Sequence, residues 1–138
     1  MTRAAYQQFT SITTRWFDND IYGHMNNAIH YQLFDTAVNG HLVETGVLDL
    51  HHGKTVFLVV ETGCQYYSEL AFPDVITVGF KVSKLGNSSV RYEVALFRND
   101  AESAAAKGHF VHVNVDRGTR RPVPIGQFAR EILGRLMA

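Results

Sequence analysis

Two carboxylates, a glycine, a histidine and three asparagines share the ten-residue stretch Asp18-Asn19-Asp20-Ile21-Tyr22-Gly23-His24-Met25-Asn26-Asn27, immediately ahead of an apolar segment with helical spacing. A helix start presents N–H groups that lack intrahelical acceptors and carries a partial positive charge, so it stabilises an oxyanion forming on a bound carbonyl. A carboxylate beside it can attack that carbonyl or take a proton from water. These are the parts needed to hydrolyse an activated acyl group. The plainer reading of the same residues is a pair of helix caps, a turn glycine and two solvated loop acids.

The elements that must hold this loop follow from periodicity. Phe9 to Trp16 is a β-branched alternating run and reads as a strand. Ile29, Leu33, Ala37 and Gly40 recur at helical spacing, Asn26 or Asn27 can cap the start and Gly46 can end it, which predicts a helix over Asn27–Thr45. A long strand runs from Thr55 through Tyr66 with Gly63 as a candidate bulge, ending near Leu70. Ile76, Val78, Phe80 and Val82 alternate in the next strand, Gly86-Asn87 turns the chain, and Val90 to Leu96 alternate again. The last strand covers Ala104 to Val115, with Val111, Val113 and Val115 on one face and Phe110, His112 and Asn114 on the other. Phe128, Ile132, Leu133 and Leu136 predict a short closing helix. The order is strand, helix, then four strands, and short links between them imply antiparallel neighbours, hence an α+β domain with one helix on an antiparallel sheet.

Composition narrows the function classes. A chain of 138 residues suits one domain over 1–138, and 46% hydrophobic with 19% charged residues is ordinary globular composition. Thirteen basic residues balance thirteen acidic ones, so no global field recruits a polyanion and nucleic acid is not expected as a partner. The single cysteine, Cys64, fits a reducing, cytoplasmic setting, and no apolar run is long enough for a membrane span. His109 and His112 point to opposite faces of a strand and His51-His52 has no third ligand nearby, so no metal is expected.

The segment Asp18 to Asn27 resembles the signature of the hotdog-fold thioesterases of the 4-hydroxybenzoyl-CoA thioesterase type, in which Asp-x-Asp-x-x-Gly precedes the long central helix. That resemblance covers nearly the whole chain and implies an antiparallel sheet wrapped around one long helix. It also implies acyl-CoA hydrolysis with Asp20 as nucleophile or general base, the backbone N–H near Asn27 polarising the thioester carbonyl, and Gly23 letting the loop approach the acyl group. Asp18 is then structural, and Tyr22 is a substrate-contacting residue of the same loop. His24 either assists the leaving thiolate or fixes the loop. Lys84-Leu85-Gly86-Asn87-Ser88-Ser89 falls where the family places a turn lining the pantetheine channel, giving Lys84, Asn87, Ser88 and Ser89 as substrate-binding candidates beside the reading of a plain hairpin turn. Glu61 either contacts substrate or hydrogen-bonds at a sheet surface. The resemblance further implies a homodimer or homotetramer with the site shared between subunits, and no cofactor, coenzyme A being part of the substrate. An acyl-carrier-protein thioesterase, a hydratase and a non-catalytic acyl-binding protein are the alternatives on the same fold.

Overall fold

The computed structural model describes residues 1–137. Its elements are β1 (Gln8–Thr13), α1 (Asn27–Glu44), β2 (Thr55–Tyr66), β3 (Val75–Leu85), β4 (Ser89–Arg98), β5 (Ala106–Asp116) and α2 (Gln127–Gly134). The five strands form one antiparallel sheet in the order β1-β3-β4-β5-β2. The α+β class read from the pattern holds.

Helix α1 lies on one face of this sheet. Its stripe of Leu33, Phe34, Ala37, Val38 and Leu42 is buried against Ile76, Val78, Phe80, Val90, Tyr92, Val94, Leu96 and Phe110. Burial of a side chain such as Phe34, at 0% exposure, contributes roughly 1.5–3 kcal/mol, so the helix is seated by tertiary packing. The seat is close because Gly108 has no side chain: a Cβ there would fall 2.7 Å from Cε2 of Phe34 and also collide with the carbonyl oxygen of Gly63. The alternate side chains of β4, Ala95 and Phe97, face away from α1 and form a smaller cluster with Tyr6 and Ala104.

Three local expectations are corrected. β1 ends at Thr13, short of Trp16, because the Asp18 carboxylate accepts the Arg15 N–H and folds Trp16–Asp18 into a 3₁₀ turn. Gly63 keeps register with His109, and the irregularity lies between Val59 and Glu61. What Gly63 supplies is room, since a Cβ there would sit 2.7 Å from Cε1 of His109. Finally, β2 and β3 are not neighbours. Their link, residues 67–74, is held by Tyr67 and Ser68 N–H groups on the Ala105 carbonyl and by the Leu70 carbonyl on Met25 N–H. It therefore passes the helix start to reach β3, and leaves β2 at a sheet edge beside β5.

On β5 the buried face is the one carrying Phe110, His112 and Asn114. His112 is 1% exposed and stacks on Phe57 at 5.2 Å, with Phe110 4.6 Å away. Burial pushes its pKa down to about 4. Above the ordinary value near 6.5 the imidazole is neutral in both folded and unfolded chains. Below it the unfolded chain binds a proton that the folded chain refuses until about pH 4, so stability falls as pH drops across this window, by up to about 3 kcal/mol. Urea unfolding at pH 7 and pH 5 should show this loss in the wild type and a smaller one in His112→Phe; equal losses in the two proteins would contradict the assignment.

Candidate active site

The loop before α1 is built on Asp18. Its carboxylate is 3% exposed and accepts from the Arg15 backbone N–H at 2.8 Å and from the guanidinium nitrogens Nε at 3.1 Å and Nη2 at 2.9 Å. Its carbonyl receives the Asn26 N–H. Asn19 Oδ1 accepts from Phe72 N–H at 2.9 Å, tying the loop to the β2–β3 link. A tight turn follows, with Gly23 N–H on the Asp20 carbonyl at 3.1 Å and Asp20 N–H on the His24 carbonyl at 2.9 Å. Gly23 takes φ +85°, a conformation that costs any residue with a Cβ, so glycine is needed here for backbone shape rather than for space. Within this turn Asp20 is half-buried. Its Oδ1 accepts from Tyr22 N–H at 2.8 Å, while Oδ2 has no protein partner among the described residues.

The turn delivers the chain into α1 with its first N–H groups distinguishable. Asn26 is the cap, its Oδ1 accepting from Ala28 N–H at 2.9 Å and its carbonyl from Ile29 N–H at 2.9 Å. The Asn27 N–H is left without a partner among the described residues, and Asn27 is exposed. The Tyr66 hydroxyl donates to the Asn27 carbonyl at 3.1 Å, and the Tyr66 ring meets the buried His30 ring edge-on at 4.7 Å. Burial pushes the His30 pKa below its ordinary value, so at neutral pH this imidazole is uncharged. His24 is half-buried, with Nδ1 at a long 3.5 Å from the Met25 carbonyl oxygen and its ring stacked 6.3 Å from that of the exposed Tyr22.

Two adjoining clefts result. One, of about 240 Å³, is lined by His24, Asn27, His30, Tyr66 and Glu69 among others. The second, of about 410 Å³, is lined by Trp16, Asn19, Asp20, Ile21 and Gly23. Gly23 borders one and His24 the other, so the two clefts flank the same turn.

The remaining candidates lie elsewhere in the chain. Glu61 projects from the sheet face turned away from α1, where its Oε2 is 3.1 Å from His109 Nε2 and 3.5 Å from Arg91 Nη1. Lys84 lies at the end of β3, Asn87 and Ser88 in the β3–β4 turn and Ser89 at the start of β4, and Arg130 of α2 fastens the turn by donating to the carbonyls of Gly86 at 2.6 Å and Asn87 at 3.0 Å. β3 begins beside Asp74, whose carbonyl bonds Thr14, and runs away from the Asp20 loop; Ile76 to Leu85 alone spans about 30 Å at roughly 3.3 Å per residue. Within the chain the turn and the loop do not meet. Sequence reasoning passed over His30, Tyr66, Glu69, Trp16 and Ile21. His30 alone carried a signal, as a polar residue in the apolar stripe of α1. Among the described residues no group of three His, Cys, Asp or Glu side chains could hold a metal ion, and no helix is long and apolar enough to cross a membrane.

The family model of the thioesterase-like superfamily matches residues 14–133, a span that includes every residue of this loop, helix α1 and strands β2 to β5. No curated protein matches the chain in sequence. Among solved structures, a protein from Pseudomonas aeruginosa strain PAO1 is 50% identical and superposes with a TM-score of 0.97 over 99% of this chain and 96% of that one. A predicted thioesterase from Bacillus stearothermophilus is 25% identical, with a TM-score of 0.81 over 94% and 96% of the two chains. A Staphylococcus aureus protein solved in complex with CoA shares the fold at 19% identity, TM-score 0.85, over 96% of this chain and 88% of that one. With the motif, the sheet order and the family match all pointing the same way, this chain belongs to the thioesterase-like superfamily.

Proposed function

We propose that the protein is an acyl-CoA thioesterase whose reacting carboxylate is Asp20 and whose oxyanion donor is the Asn27 N–H. The observation that carries this reading is the free Asn27 N–H at the start of an 18-residue helix, one turn of loop away from a carboxylate whose Oδ2 is also free. Asp20 either attacks the thioester carbon, giving an anhydride that water then opens, or takes a proton from the water that attacks. In both routes the carbonyl oxygen gains charge and the Asn27 N–H and helix dipole stabilise it. The C–S bond then breaks, and the proton that water supplies ends on the CoA thiolate. Trp16 and Ile21 give the Asp20 cleft an apolar wall for the acyl group. The family match and the CoA complex of a protein with the same fold support a CoA ester as substrate.

The site is completed by a second protomer. β2 is a twelve-residue edge strand with Leu58, Val59 and Val60 exposed at 39%, 44% and 61%, and such an edge is a template for pairing. Its Tyr66 end lies at Asn27, whereas its Leu58 end is joined through Val113 to Ser89 and the β3–β4 turn. Antiparallel pairing of two β2 strands carries the partner's turn toward this protomer's helix start, where Lys84 and the Arg120-Arg121 segment can meet CoA phosphates. A homodimer is thus the smallest complete unit. Light scattering should return twice the chain mass, and kcat/KM should be higher for an acyl-CoA than for the matching acyl-pantetheine at low ionic strength, converging as salt is added. Equal values at low salt, or a monomer at micromolar concentration, would contradict the shared CoA site.

A further inference from the structure

We infer that Tyr66 is a positioning residue for the oxyanion donor, holding the first helical residue at the angle the reaction needs. The inference rests on the thioesterase reading for its kinetic consequence, but its structural part stands on the bond itself. Helix ends fray, because their first residues are held by few bonds. Here the residue that offers the free N–H, Asn27, has its own carbonyl fastened from outside the helix by the Tyr66 hydroxyl at 3.1 Å. The Asn27 N–H lies in the peptide plane of the Asn26 carbonyl, which accepts from Ile29 N–H, and the Asn27 carbonyl lies in the next plane; fastening both planes restrains φ and ψ of Asn27 between them and so the direction of its N–H.

The tyrosine is itself braced. Its ring packs edge-on at 4.7 Å against His30, which sits at 3% exposure in the first turn of the same helix. β2 thus grips α1 at both the carbonyl of Asn27 and the ring of His30. Asn26 and Asp18 hold the other side of this joint, the Asn26 side chain taking the Ala28 N–H, the Asn26 carbonyl the Ile29 N–H and the Asp18 carbonyl the Asn26 N–H, whereas Tyr66 holds the Asn27 carbonyl from outside the helix. Tyr66 is 42% exposed and its hydroxyl, with Tyr31 and Cys64 also beside it, donates to the Asn27 carbonyl, so removing the hydroxyl should disturb the helix start far more than global stability.

Tyr66→Phe keeps the ring against His30 and deletes only the donor. Complete loss of one oxyanion donor costs about 10²–10³ in kcat, so loosening one should lower kcat by roughly tenfold with KM changed by less than about threefold. In the same variant, amide hydrogen exchange at Ile29 and Tyr31, whose N–H groups close the first turn, should accelerate several-fold while exchange in β3 and β4 stays as in the wild type. Wild-type kcat in folded Tyr66→Phe, or unchanged exchange at Ile29 and Tyr31, would overturn the inference. The exchange arm does not depend on turnover, so a protein with no thioesterase activity at all would refute the functional reading while still deciding whether Tyr66 holds the helix start.

Discussion

Asp20→Asn is expected to yield a folded protein whose kcat on an acyl-CoA ester is at least about a hundredfold below wild type, with KM changed far less. Removal of a positioned general base typically costs about 10²–10⁴-fold, and removal of a nucleophile can cost more. Asparagine keeps the shape of the side chain and an oxygen to accept the Tyr22 N–H, so the turn around Gly23 should survive. The melting temperature should therefore stay within a few degrees of wild type, and the loss should be one of chemistry. Asp18→Asn acts differently, because Asp18 is buried and holds the Arg15 guanidinium and backbone N–H. It should lower stability and distort the loop, with a smaller effect on kcat. Folded Asp20→Asn retaining more than about a tenth of wild-type kcat, well above what either role predicts, would exclude Asp20 as the reacting group.

Gly108→Ala should be the most destabilising single methyl that can be added near the site. The new Cβ would lie 2.7 Å from Cε2 and 2.9 Å from Cζ of Phe34 and would collide with the Gly63 carbonyl of the adjacent strand. Neither obstacle is the loose end of a flexible chain. Phe34 is at 0% exposure within the core, and the Gly63 carbonyl belongs to the β2–β5 ladder. Overpacking of this kind costs about 1–3 kcal/mol or more, and for a domain of this size about 3 kcal/mol corresponds to roughly 10 °C in melting temperature. Because the displaced element is α1 itself, activity measured below the melting transition should fall too. Calorimetry showing a wild-type midpoint would mean that helix and sheet are not seated as described.

The sequence made some of this legible and hid the rest for physical reasons. The helix bounds were readable because the capping asparagine and the terminal glycine are local signals: Asn26 caps and Gly46, at φ +83°, ends α1 one residue before the predicted stop at Thr45. The Asp18 to Asn27 loop was readable because its residue types are dense and ordered. Strand neighbours were not. A link of eight residues between β2 and β3 carries no mark that it passes a helix rather than turning back, and the pairing of β2 with β5 depends on contacts about fifty residues apart. The buried face of β5 was equally hidden, since alternation of Val with Phe, His and Asn identifies two faces without saying which one meets the helix. Its answer, the His112 face, runs against simple polarity and is made tolerable by keeping the imidazole neutral. Tyr66 and His30 escaped notice because each acts through a neighbour distant in sequence, and Glu61 could not be placed on the outer face without the register of β2.

The central claim is thioester hydrolysis, and release of free thiol from a series of acyl-CoA esters tests it most directly. Wild-type protein should release CoA with acid formed in equal amount, well above the rate in buffer, for at least one apolar acyl group, and Asp20→Asn should not. No thiol release above buffer from any aliphatic or aromatic acyl-CoA, by a folded protein at neutral pH, would contradict the account.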